Sequence, residues 1–101
     1  MNNHKKKQNH IDTTKKIILK YLNHIDCQIF LFGSQLKKTI KRPVDIDIAI
    51  MPLKKFPVGL LSEIREALEE STIPYNVDLI DLSLADSQFI EQVKRTGIQW
   101  K

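Results

Sequence analysis

Aspartate is a poor strand residue, because its short side chain competes with the backbone for hydrogen bonds. Yet Val44-Asp45-Ile46-Asp47-Ile48-Ala49-Ile50 alternates as a strand and carries two of them. Residues 44, 46, 48 and 50 are apolar and point one way, while 45, 47 and 49 point the other. Two residues along a strand are about 6.6 Å apart on one face. Asp45 and Asp47 can therefore aim two carboxylates at one point. A later run, Asn76 to Leu82, presents Asp78 opposite Val77 and Leu79, and a neighbouring strand would bring it to the pair. Three converging carboxylates repel unless a cation stands between them. Hard oxygen donors in that number suit Mg²⁺. Two such ions, roughly 3.5–4 Å apart, can clamp the attacking and leaving oxygens of a phosphoryl-type displacement. The same alternation also fits an amphipathic strand whose acidic face sees water.

Gly33-Ser34 ends another apolar run, Gln28 to Phe32. Glycine lets a ligand approach the backbone closely. Free N–H groups at a following helix start bind phosphate, and the serine hydroxyl adds a donor. Alone, the pair also reads as a plain strand-to-helix turn capped by Ser34. Its combination with Asp45, Asp47 and Asp78 is more specific, because it sets a phosphate cradle beside a metal site.

The elements that must position these groups follow from periodicity. Residues 1–11 are polar and basic and read as a flexible N-terminal arm. Asp12 or Thr13 can cap a helix to about Ile25, with Ile17, Ile18, Tyr21, Leu22 and Ile25 on one stripe. Strands follow at 28–32 and 44–50, separated by a short helix from Ser34 to about Thr39 and a turn at Lys41-Arg42-Pro43. A second long helix is predicted over 59–71, stopped by Pro74. A third strand at 76–82 and a final helix over 86–96 complete the set, with Gly97 as a stop and a short edge strand at 98–100. Asp81 reads as a turn or cap residue. Trp100 reads as cover for the sheet edge or as a partner contact. The fold class is α/β (α+β): a two-layer domain over residues 12–101, with a small sheet covered by helices on one face.

Composition narrows the class. The chain has 101 residues, 42% hydrophobic and 28% charged, enough for one core. No apolar run approaches the ~20 residues of a membrane helix, and the lysines of the first ten residues have no apolar stretch behind them, so no secretory signal is read. Cys27 is the one cysteine, and beside Ile29, Phe30 and Leu31 it reads as a buried thiol. A cytoplasmic location is the default. Residues 1–42 hold ten Lys/Arg against Asp12 and Asp26, a balance of +8, whereas residues 43–101 balance to −4. The basic half could meet phosphate or an acidic partner.

At Leu31-Phe32-Gly33-Ser34, Val44 to Ile50, Val77 to Leu82 and Thr96-Gly97-Ile98 the sequence resembles the nucleotidyltransferase superfamily with the DNA polymerase β-like palm. Within it, the closest likeness is to the minimal nucleotidyltransferase (MNT) group, the antitoxin half of HEPN/MNT toxin–antitoxin pairs. The resemblance spans about residues 12–100 and implies a polymerase β palm-like fold with a small mixed sheet. It implies that Asp45, Asp47 and Asp78 ligate Mg²⁺, two ions in all, and that Asp78 helps activate the attacking hydroxyl. Gly33 and Ser34 would hold the β and γ phosphates of ATP. The implied reaction moves AMP to a tyrosine of a cognate HEPN ribonuclease, in a hetero-oligomer. Departures from the group's pattern fall at Leu36, Lys37, Lys38 and Val44. Lys37 stands where arginine is usual and is the third nucleotide-binding residue the resemblance implies, able to meet phosphate as a point charge rather than a fork.

Two other classes remain. One is a non-catalytic module of the same fold that neutralises its partner by occlusion. The other is a nucleic-acid-binding domain suggested by the +8 half. Aromatics are few and none interleaves with the lysines as stacking platforms would, which argues against the latter.

Overall fold

A computed structural model describes residues 3–33 and 45–101. The expected short helix from Ser34, the turn at 41–43 and Val44 lie outside the described residues. The elements are α1 (Asn3–Leu22), β1 (Cys27–Phe32), β2 (Asp45–Pro52), α2 (Leu60–Glu69), β3 (Asn76–Asp81), a 3₁₀ turn (Leu82–Leu84), α3 (Ser87–Thr96) and β4 (Ile98–Gln99).

The sheet is mixed, in the order β3-β2-β1-β4. β1 pairs antiparallel with β2 and with β4, while β2 and β3 run parallel. Strand alternation sorts the apolar residues into two clusters. Ile29, Ile46, Ile48, Ile50 and Leu79 face one way, where Ile18 and Leu22 of α1 and Ile64 and Leu68 of α2 cover them. Phe30, Phe32 and Ala49 face the other way, against Val93, Phe89 and Ile90 of α3 and Leu82.

The expected small mixed sheet covered by helices is present, but the helices occupy both faces rather than one. The cause is the 3₁₀ turn. Asp81 caps it, accepting from Ser83 N (2.9 Å) and Ser83 Oγ (2.6 Å). The chain then enters α3 capped by Asp86, whose Oδ1 accepts from Phe89 N at 2.8 Å. The apolar stripe of α3 thus lands on Phe30 and Phe32, and Phe89 meets Phe32 edge-on at 5.7 Å between ring centres. Covering both faces lets a small sheet bury more apolar area, at about 1.5–3 kcal/mol per fully buried Val, Leu, Ile or Phe.

α1 also differs from expectation, for it begins at Asn3 and not at residue 12. Lysine and glutamine are good helix formers, and the backbone continues through the polar stretch. Asp12 is therefore mid-helix, where Gln8 Nε2 donates to its Oδ1 at 3.0 Å. At the other end of the chain, Trp100 N donates to Ile29 O at 2.7 Å and the indole packs against the core. Trp100 therefore covers the sheet edge, with Lys15 Nζ 5.8 Å from its ring centre. Cys27 is buried, as expected. No helix among the described residues is long and apolar enough to cross a membrane.

Candidate active site

Register determines which polar groups share a face. Phe32 lies opposite Asp47, and Asp47 lies opposite Asp78. One row therefore crosses three strands as Phe32, Asp47, Asp78. Asp45 is two residues back along β2, opposite Asn76, whose Nδ2 stands 3.5 Å from Asp45 Oδ1. By alternation the three aspartates share the face of the sheet on which α3 packs. Their environments differ. Asp47, on a central strand, is 1% exposed. Asp45 is half-buried, and Asp78, on the edge strand, is exposed.

Gly33 follows β1 directly and closes on this row. Its φ of +149° is one that side chains rarely adopt, and a Cβ built there would lie 2.9 Å from Asp47 Oδ2. The position thus needs glycine for both conformation and space. Ser34 and Lys37, also named as site residues, lie outside the described residues.

A cleft of about 540 Å³ opens beside β3. Asp45, Asn76 and Asp78 line its sheet side, with Tyr75 at the strand entrance and Arg65 and Glu69 on α2. Arg65 Nη2 donates to Leu79 O at 3.1 Å. Tyr75 meets the His10 ring edge-on at 5.3 Å. Tyr75 lies in the loop before β3 and Asn76 opens the strand, as predicted for 76–82. Arg65 and Glu69 carry no signal of a site in the sequence. On a helix rich in Glu63, Glu66, Glu69 and Glu70, an arginine reads as an ordinary surface charge, and only the packing of α2 beside β3 gives it a place.

The donor set suits a hard divalent cation, with three carboxylates on one face and a glycine where a side chain would press on Asp47. Among the described residues, no three acidic, histidine or cysteine side chains are already gathered as a ligand cluster. Three like charges repel, and a cation is what would draw them together. Asp81 lies three residues beyond Asp78, opposite Ile50, and its carboxylate is engaged with Ser83. It stands apart from the trio.

The family described as polymerase beta, nucleotidyltransferase, matches residues 12–99. The chain belongs to this nucleotidyltransferase family. A relative from Haemophilus influenzae (strain ATCC 51907 / DSM 11121 / KW20 / Rd), named probable protein adenylyltransferase MntA, is 30% identical over 73 residues. That match covers 72% of this nucleotidyltransferase chain and 64% of the relative, so more than a third of the relative's length has no counterpart in the match. Among solved structures, a toxin–antitoxin complex with AMP-PNP superposes with a TM-score of 0.57 at 32% identity, covering 84% of this chain and 70% of that one. A tri-AMPylated Shewanella oneidensis HEPN toxin in complex with MNT antitoxin gives 0.58 at 28% identity, covering 87% and 69%. These likenesses agree with the mixed sheet and its helices as a nucleotidyltransferase fold.

Proposed function

We propose that this nucleotidyltransferase is an antitoxin that transfers AMP from ATP to a tyrosine of a HEPN-domain toxin and so silences it. The observation that carries the reading is the row Phe32, Asp47, Asp78, with Gly33 pressed against Asp47. Two carboxylates from different strands stand side by side there, next to a glycine bend. The relative named as an adenylyltransferase, the complex with AMP-PNP and the tri-AMPylated toxin support the same chemistry.

In this reading Asp45, Asp47 and Asp78 hold Mg²⁺, two ions in all. The metal supplies charge neutralisation at the phosphates and positions the reacting oxygens. Gly33 lets the triphosphate approach the backbone, and with Ser34 it holds the β and γ phosphates. Lys37 adds a positive charge there. Asp78 is the exposed member of the trio, so it is the one an incoming hydroxyl can reach. The tyrosine oxygen bonds to the α-phosphorus, the bond from that phosphorus to the bridging oxygen breaks, and pyrophosphate leaves. The hydroxyl proton passes to the Asp78 carboxylate and on to water. In this reading the toxin supplies the acceptor, in a cytoplasmic hetero-oligomer.

The test is transfer of label from α-labelled ATP to a co-expressed HEPN toxin, with Mg²⁺. The double variant Asp45→Asn, Asp47→Asn should fold and transfer nothing. Labelling by that variant at the wild-type rate overturns the reading. Full neutralisation of the toxin by it, with no label anywhere, selects occlusion without catalysis.

A further inference from the structure

We propose that Arg65 and Glu69 of α2, together with the outer edge of β3, form the seat of the acceptor: an extended, tyrosine-bearing segment of the partner protein. The proposal rests on the transfer reading above and adds the residues that would choose and hold the acceptor.

The argument is one of direction. In a displacement at phosphorus, the entering oxygen and the leaving pyrophosphate lie roughly in line, on opposite sides of the reacting atom. The strand order sets a line across the sheet. Gly33 follows Phe32 on β1, Asp47 is on β2 and Asp78 is on β3. With the β and γ phosphates held at Gly33, pyrophosphate departs on the β1 side. The tyrosine oxygen must then enter from the β3 side.

Among the described residues β3 is the sheet edge, and the surface there is a cleft of about 540 Å³ rather than a plane. Asp45 and Asp78 are among its lining residues although α2 covers the opposite face of the sheet, so the cleft links the two faces around the β3 edge and reaches the carboxylates that would meet the acceptor. Arg65 and Glu69 stand on its α2 side, with Arg65 anchored through Nη2 on Leu79 O. A guanidinium has five N–H donors, and this bond uses one of them. Arg65 can therefore donate to an entering chain, and the Glu69 carboxylate can accept from it. Tyr75, edge-on to His10, makes a ring-backed wall at the entrance. An edge strand with a donor and an acceptor beside it suits an extended peptide. A nucleobase in this cleft would put ATP on the acceptor's path.

Steady-state transfer from α-labelled ATP to the purified HEPN-domain partner, and AMP-PNP affinity of the full chain without partner, test the proposal together. Arg65→Ala is expected to raise KM for the partner about tenfold or more, the scale of one charge-assisted hydrogen bond. AMP-PNP affinity should be unchanged. Arg65→Lys should recover part of the loss. Glu69→Gln, at an exposed position, should raise the same KM, and it guards against misfolding of the arginine variants. An unchanged KM for the partner in Arg65→Ala and Glu69→Gln overturns the proposal while leaving the transfer reading intact. Weaker AMP-PNP binding with an unchanged KM for the partner makes the cleft a nucleotide subsite and also overturns it. A wild-type chain that labels nothing removes the transfer reading, and this inference with it.

Discussion

Gly33 and Asp47 are locked together: no side chain fits at residue 33 without moving the Asp47 carboxylate, because a Cβ there would stand 2.9 Å from Oδ2. The contact links the end of β1 to the start of β2 and ties the bend after Phe32 to the most buried of the three aspartates. Gly33→Ala should therefore damage chemistry more than fold. Backbone strain at a positive φ costs about 1–3 kcal/mol. Misplacing a reacting group by an ångström can cost about 100-fold in rate. Thermal melting and label transfer on the same preparation separate the two; a full transfer rate in the alanine variant would show that Gly33 does not set the Asp47 geometry.

Asn is nearly isosteric with Asp, so changing the trio tests charge rather than shape. Asp78→Asn, at an exposed position on the edge strand, should change stability by no more than about 0.5 kcal/mol while transfer collapses. Urea titration and the labelling assay are the two measurements. Retained transfer would remove Asp78 from the reaction.

Metal binding to the native state alone must raise stability by linkage. At a concentration 100 times Kd the gain is about 2.7 kcal/mol. Adding MgCl₂ to the apo chain should therefore raise Tm, and the double variant Asp45→Asn, Asp47→Asn should show no such rise. Chelation with EDTA should stop transfer. An equal Tm rise in wild type and double variant would place the bound cation elsewhere.

Much of this site is legible in the linear chain, and for a definite reason. Alternation has a period of two, so Asp45 and Asp47 must share a face once 44–50 is a strand, and the same pattern gives Asp78. What alternation does not specify is which face a later helix covers. That choice was made by Leu82–Leu84, a turn too short for any periodicity, and it moved α3 onto Phe30 and Phe32. The polar stretch before Asp12 has no apolar stripe, so it reads as an arm although its backbone is helical. Arg65 is a further case: its meaning comes from the tertiary placement of α2 beside β3, which no local pattern carries.

α3 screens the face that carries the aspartates, and its start depends on one carboxylate. Asp86 Oδ1 caps Phe89 N at 2.8 Å, and Phe89 packs edge-on against Phe32, the row neighbour of Asp47. Asp86→Ala should cost about 1 kcal/mol, the usual value of an N-cap. It should leave AMP-PNP affinity unchanged, because Asp86 caps α3 and is not among the residues proposed to hold the nucleotide or the metal. Urea unfolding monitored by circular dichroism reads the first effect, and calorimetric titration the second.

Cys27 provides a test of packing through pH. Burial pushes its thiol above the ordinary 9.0, with Lys101 opposing and Asp26 adding to the rise. The native state therefore holds this proton more tightly than the unfolded chain. As pH rises past about 9, the unfolded chain loses the thiol proton while the native state keeps it, so the unfolded state binds fewer protons and stability falls. Below that range both states are protonated and Cys27 contributes no slope. Urea unfolding at pH 8 and pH 10 should show this decline, and Cys27→Ala should remove the part due to the thiol. In the native chain at pH 8, iodoacetamide should leave Cys27 unmodified, since the thiolate is the reactive form and the side chain is buried; rapid native-state alkylation would mean that β1 opens far more readily than its central place in the sheet implies.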